Sequence, residues 1–243
     1  MARFDIGRLF RASWRDLRAA RQQDGAYRRT WQAFRQHRVL ADGRHDTEEW
    51  RSHGGAFAAC LIRVPAEALQ PALDELREAL QPYPHIRIHP DGFLHVMLQE
   101  LGFITERPAN RFEISIERLD EFVSAATVAV GEATSFDLRL GGANSFQDAC
   151  FLDVHDRGAC SRLHARLHEL AAIPVSPKYA YLPHMTVAHY TGPAPIGNLP
   201  ATIARFRDRR FGTIAVSQIE IVTMATDVSY PPFETYATIR LAG

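Results

Sequence analysis

A short apolar run carrying one histidine occurs twice in this chain, and no other feature constrains the fold as much. The first copy is Phe93-Leu94-His95-Val96-Met97-Leu98-Gln99-Glu100-Leu101-Gly102, and the second is Leu182-Pro183-His184-Met185-Thr186-Val187-Ala188. Both are rich in strand-forming residues. Side chains on a strand alternate between faces, so His95 shares a face with Met97, and His184 shares one with Thr186 and Ala188. The second copy thus sets an imidazole beside a hydroxyl, a pair able to pass a proton and hold a phosphate oxygen. Two such strands facing one another supply a general base and a general acid without a metal. One histidine on an apolar strand is most often a core residue. Two, each preceded by a similar strand and helix, read as a functional pair.

The preceding units line up. A strand at 58–64, a helix and the His95 strand mirror a strand at 150–154, a helix and the His184 strand. The interval is 35 residues from Cys60 to His95 and 33 from Phe151 to His184. Such a duplication predicts an α+β fold of two pseudo-symmetric lobes, with mostly antiparallel sheets, helices outside, and an active-site cleft between the sheets.

The paired motif resembles the 2H phosphoesterase superfamily, the group of 2′-5′ RNA ligase and cyclic phosphodiesterase proteins, whose signature is a repeated His-x-Thr. The Leu98-Gln99-Glu100-Leu101-Gly102 continuation is also similar to that family's first motif. The resemblance runs from about Phe57 to the C-terminus. It implies a metal- and cofactor-independent phosphodiesterase acting on a 2′,3′-cyclic phosphate, at an RNA end or on a small nucleotide. His95 and His184 would be the catalytic pair and Thr186 the phosphate-binding residue. The order of acid and base stays open, as does the direction, since the family includes 2′-5′ ligation by the reverse chemistry. Two positions depart from the pattern. Met97 stands where the family has Thr or Ser, and His189 where relatives commonly carry an arginine. A thioether cannot donate to phosphate, so a catalytically impaired nucleotide- or RNA-binding protein is the alternative. Met97 as the apolar wall of a shifted pocket is a third.

Composition narrows the choices further. The formal net charge is zero, which gives no overall electrostatic case for nucleic acid. Only Lys178 among the 28 Lys and Arg is a lysine, and the hydrophobic share of 46% is enough for a sizeable core. Cys60, Cys150 and Cys160 form no zinc-type cluster and read as reduced thiols. No stretch approaches a membrane span, and arginines interrupt the N-terminus where a secretion signal would need an apolar core. A cytoplasmic, monomeric protein is expected.

Residues 1–50 read as basic amphipathic helices, one with the stripe Ile6, Phe10, Trp14 and Leu17 and, after a break at Asp24-Gly25, one with Tyr27, Trp31 and Phe34. They are expected to pack on the main domain at 56–243 with their arginines in solvent, and residues 41–55 read as the linker. A strand at 57–64 leads to a helix from Pro65 to about 80. His85 and His89 are placed on a solvent face. A helix at 116–130 precedes two strands, 135–141 and 145–154, joined by a Gly141-Gly142-Ala143-Asn144 turn. Asp156 caps a helix to about 172, with His164 and His168 in solvent. The loop 173–181 offers Lys178 for a phosphate and Tyr179 or Tyr181 as a base-stacking platform or, equally, as closure of the core edge. A helix near 200–208 and antiparallel strands at 215–224 and 235–241 complete the chain.

Overall fold

The computed structural model of the protein describes residues 14–172 and 180–243. The first described element is one uninterrupted helix, α1 (Trp14–Phe34), running through Asp24-Gly25. A mid-helix glycine costs about 1 kcal/mol. Burial of Tyr27 and Phe34, each 1% exposed, more than offsets it. Trp14 is 86% exposed and Leu17 is exposed as well, so these two do not form the inward stripe expected of them. Ile6 and Phe10 lie outside the described residues. Arg28, Arg29, Arg35 and Arg38 are in solvent.

The segment read as a linker is structured. It contains β1 (Val39–Leu40) and α2 (Glu48–Ser52), the latter capped by the Thr47 hydroxyl accepting from Trp50 N. Then follow β2 (Ala56–Arg63), α3 (Ala72–Leu80), β3 (Ile86–Ile88), β4 (His95–Ile104) and β5 (Glu113–Ile114). The helix expected from Pro65 starts only at Ala72. Pro71 lacks an N–H and its ring would strike the preceding turn, so the helix begins after it. Next come α4 (Ile116–Gly131), β6 (Phe136–Ser145), β7 (Ala149–His155) and α5 (Ala159–Ala171). Ser115 caps α4 by accepting from Arg118 N, and the Asp156 carboxylate starts α5 by accepting from the N–H groups of Gly158 and Cys160. The chain ends with β8 (His184–Tyr190), β9 (Ala194–Pro195), α6 (Leu199–Ala204), β10 (Arg210–Val216), β11 (Gln218–Ala225) and β12 (Glu234–Arg240).

Gly141-Gly142 does not make the β6–β7 turn. The strand continues to Ser145, with a register shift between Leu140 and Ala143. A Cβ on Gly142, at φ +81°, would lie 2.9 Å from both the Arg207 carbonyl and Asp153 Oδ2, so the backbone bulges there on a residue without a side chain.

The main sheet runs β10-β6-β7-β8-β4-β2-β11-β12, with β3 added beside β8 and β5 beside β4. Among the strands described, all pairings are antiparallel except β4 with β5. β1 and β9 pair separately. The two halves meet where Val96 on β4 opposes Met185 on β8. Helices α3, α4, α5 and α6 bury their apolar stripes on one face of this sheet, against Cys60, Val96, Leu152, Met185 and Val187. Each half lends a helix to the other. α3 follows β2 but packs on β3, β10 and α6, and α5 follows β7 but packs on β4 and α4. The opposite sheet face carries the histidines.

Candidate functional site

The Val96–Met185 pairing fixes the relation of the two motifs. In an antiparallel register, His95 opposes Thr186 and Met97 opposes His184, all four on the face away from the helices. His95 and His184 are therefore diagonal neighbours, roughly 7–8 Å apart in a regular pair. Their neighbours Val96 and Met185 are fully buried on the helix side, while all four motif side chains are half-buried.

The two imidazoles are built alike. His95 Nδ1 donates to the Phe93 carbonyl at 2.8 Å, and His184 Nδ1 donates to the Leu182 carbonyl at 2.8 Å. A carbonyl only accepts, so Nδ1 carries the hydrogen in both rings and Nε2 is left to exchange a proton. Each ring also sits edge-on to two phenylalanines: His95 to Phe93 and Phe233, His184 to Phe146 and Phe151. Aromatic packing and one backbone hydrogen bond thus orient each side chain twice over.

A bulge adds a third imidazole. Between Thr186, paired with Phe151, and Ala188, paired with Cys150, β8 carries one extra residue, Val187. The alternation slips by one, so Ala188 turns to the helix-side core and His189 turns to the site face. The face shared by His184 and Thr186 therefore continues with His189, not with Ala188. His89 is 1% exposed rather than on a solvent face; its Nε2 lies 2.9 Å from His189 Nδ1, and its N–H donates to the Val187 carbonyl. His45 sits edge-on to His189 at 4.3 Å between ring centroids. Beside it, Asp46 accepts from Arg51 at 3.2 Å, Arg87 at 2.8 Å and the Ser229 hydroxyl.

Burial is the first cause of every imidazole shift at this site. His95 is pushed down to about 4 by burial, against the help of the Phe93 carbonyl and with the charges of His45, His184 and Arg63 opposing protonation. His189 is pushed down to about 3 by burial and by its histidine neighbours, and His89 is held well below the ordinary range for the same reasons. His184 is lowered by burial too, but the Leu182 carbonyl and the Asp148 carboxylate both favour its charged form.

A cavity of about 650 Å³, counting its open mouth, extends from this cluster over the first lobe. Its floor is His95, Met97, Glu100 and Phe57. Its walls are Arg44, His45, Asp46 and Trp50 together with the turn Val228, Ser229, Tyr230 and Pro231, joined where the Ser229 hydroxyl donates to Asp46. His184 and Thr186 are not among its lining residues; they flank it on the second-lobe side. Tyr181 is turned the other way: its ring stacks on His164 at 4.0 Å and its hydroxyl donates to the Met97 carbonyl at 2.9 Å, closing the core edge rather than offering a platform. Lys178 and Tyr179 lie outside the described residues. His164 and His168 are half-buried, the first bonded to the Leu98 carbonyl and the second to Gln99 Oε1. No trio of His, Cys, Asp or Glu among the described residues is arranged to hold a metal ion.

The sequence signal for His189 was present in its departure from the related motif. The other two, His45 and His89, fall in segments read as linker and surface, and only long-range packing brings them in.

Known proteins share this fold. The model of the 2′-5′ RNA ligase superfamily matches residues 65–227. No match is found among curated protein sequences. Among solved structures, TT0787 of Thermus thermophilus is 22% identical, with a TM-score of 0.55, covering 77% of this chain and 98% of that one. Escherichia coli LigT complexed with 3′-AMP is 16% identical, with a TM-score of 0.58 and the same coverages. LigT complexed with phosphate is 16% identical, with a TM-score of 0.53, covering 78% of this chain and 99% of that one. These likenesses establish the shared fold. No helix among the described residues is long and apolar enough to cross a membrane.

Proposed function

The chain belongs to the 2′-5′ RNA ligase superfamily, and from that premise we propose that it hydrolyses a 2′,3′-cyclic phosphate by paired histidine acid–base catalysis. Membership carries a phosphoesterase or ligase-type activity; cyclic-phosphate hydrolysis is the finer reading. The observation that carries it is the mirrored pair, His95 and His184, each with Nδ1 held by a carbonyl two residues back and Nε2 left for proton transfer.

The unequal surroundings of the pair divide the roles. His95, buried and facing the charges of His45, His184 and Arg63, is the neutral partner and takes the proton of the attacking water. Its hydroxide oxygen bonds to phosphorus as one ribose oxygen leaves. His184, beside Asp148, holds its proton more readily and gives it to that oxygen. Thr186, opposite His95 in the register, would donate to a phosphoryl oxygen as negative charge builds. In a bound complex the phosphate's own charge raises both histidines, so the acid is protonated where the reaction runs.

The LigT structures with 3′-AMP and with phosphate are consistent in ligand chemistry with such a substrate. The test is turnover of a 2′,3′-cyclic mononucleotide by the parent and by His95→Ala and His184→Ala. Each variant should fold and lose about 10²–10⁴-fold in kcat, the parent profile should be bell-shaped in pH, and EDTA should leave the parent unchanged. Full activity in either variant, or abolition by EDTA, overturns the reading. A parent that binds the nucleotide without turning it over would be the impaired binder instead.

A further inference from the structure

The family match begins at residue 65, yet the N-terminal segment before it builds part of the cavity. It acts in two places. α1 lies over the site face of the second lobe. Tyr27 contacts His155 edge-on, the Tyr27 carbonyl accepts from Asn144 Nδ2, and Asp24 accepts from His155. Under this cover Asn144 and Asp153 are almost fully buried, although Asp153 stands directly opposite His184 on the neighbouring strand. The helix therefore fills the sheet face beyond His184.

The segment then crosses to the first lobe. Ala41 N donates to the Gln147 carbonyl and Gly43 N to the Tyr190 carbonyl, both on the second half. A Cβ on Gly43 would lie 2.2 Å from the Asp148 carbonyl oxygen, so the chain is pressed flat against that half. Three residues later Asp46 holds Arg87 and, on the β11–β12 turn, Ser229. Trp50 then wedges against Phe57 and Phe103, at 4.7 and 4.8 Å between ring centroids. The crossing strap supplies Arg44, His45, Asp46 and Trp50 to the cavity wall.

Resting on the catalytic reading above, we propose that residues 41–50 are a specificity-determining wall that commits the site to a single nucleotide bearing a 2′,3′-cyclic phosphate and shuts out the end of an RNA strand. A polynucleotide needs an open track lined with cations that follow its backbone. Here the second-lobe side is filled by α1, and the remaining cavity is stopped by the strap. Among the described residues its lining offers one arginine, Arg44, against the two carboxylates Asp46 and Glu100, and otherwise is chiefly apolar and aromatic: Trp50, Phe57, Phe93, Met97, Met224 and Tyr230. Such a walled, mostly apolar compartment suits one nucleoside with its phosphate presented to His95.

The experiment compares kcat/KM on a 2′,3′-cyclic mononucleotide with that on a short RNA ending in the same group, for the parent, Asp46→Ala and Gly43→Ala. The parent should favour the mononucleotide at least about tenfold, within the range a shaped pocket discriminates. Both variants should lose most of that ratio, chiefly by gaining on the RNA. Circular dichroism identifies a variant that fails to fold, and the other then decides. A parent indifferent to substrate length, or a ratio unchanged in the folded variants, overturns the proposal. Calorimetric binding of the hydrolysed products, the 2′- and 3′-phosphate mononucleotides and the matching RNAs, reads the same preference without catalysis. If neither substrate is turned over but the binding preference and its loss appear, the catalytic reading fails and the wall stands.

Discussion

Removing one buried hydroxyl tests whether the N-terminal helix positions His184, the histidine proposed as the acid. Tyr27 is 1% exposed, and its hydroxyl accepts from Val154 N at 3.0 Å. Its single proton goes to the Pro183 carbonyl at 2.5 Å, a shorter contact than the Val154 carbonyl at 2.9 Å. The hydroxyl thus closes the gap where β7 and the segment entering β8 part. The next carbonyl back, Leu182, holds His184 Nδ1. Tyr27→Phe leaves the Val154 N–H without its partner, at a cost of about 1–3 kcal/mol, and a chain of this size loses about 2–4 °C in Tm for each kcal/mol. The functional effect is separate. With Pro183 untethered, the Leu182 carbonyl loosens its hold on the imidazole, and misplacement of a reacting group by 1 Å costs up to about 10² in rate. Cyclic mononucleotide turnover should therefore fall about tenfold in kcat with little change in KM. The basic limb of the pH profile should also move down, because the Leu182 bond is the larger of the two influences that favour the charged form of His184 against burial. A variant that melts earlier yet keeps both kcat and the basic limb would show Tyr27 to be structural only, and the reasoning would be refuted.

Two further outcomes follow from the same geometry. His89, His95 and His189 all protonate less readily folded than the ordinary pKa of about 6.5; their contribution to stability is complete above that value and is lost as pH falls through about 4 for His95 and about 3 for His189. Tm should therefore drop on acidification from about pH 7 to about 4.5, less steeply in His189→Gln, and parallel curves would show that the cluster is not the source. Met97→Thr removes apolar surface from the cavity floor, so KM for the cyclic mononucleotide should rise about tenfold with kcat nearly unchanged; a rise in kcat would instead assign position 97 to the phosphate.

The duplicated strand–helix–strand order was legible in the sequence because hydrophobic periodicity records it locally. β2, β4, β8, α4 and α5 stand close to where that pattern puts them, and the bilobal antiparallel architecture follows. What the sequence hid were departures from periodicity. A bulge at Val187 leaves no local signal, yet it sends His189 to the site and Ala188 to the core. The β4 strand shifts register against β2 at two places, so Glu100 rather than Gln99 shares the cavity with Met97. A glycine pair that looks like a turn is a bulge made necessary by Arg207 and Asp153 crowding the backbone. The polar run at 41–55 has the composition of a linker, but hydrogen bonds to Gln147, Tyr190, Arg87 and Ser229 order it. Partners a hundred residues away cannot be read from neighbours in sequence.

The departure at Met97 acquires a physical sense from this arrangement. The paired motifs present four positions on one face: two histidines on one diagonal, Thr186 and Met97 on the other. A phosphate held between the imidazoles needs a donor on one side and a place for its nucleoside on the other. Thr186 supplies the hydroxyl beside His184, where α1 has already filled the space beyond. Met97 stands at the opposite corner, where it lines the cavity with Phe57. A second hydroxyl at that corner would sit among Leu61, Phe103 and Val222, where an unpaired polar group costs more than it returns. On the proposed reading, the same N-terminal segment that breaks the symmetry of the two lobes makes a symmetric pair of His-x-Thr motifs unnecessary: one half would grip the phosphate and the other hold what the phosphate is attached to.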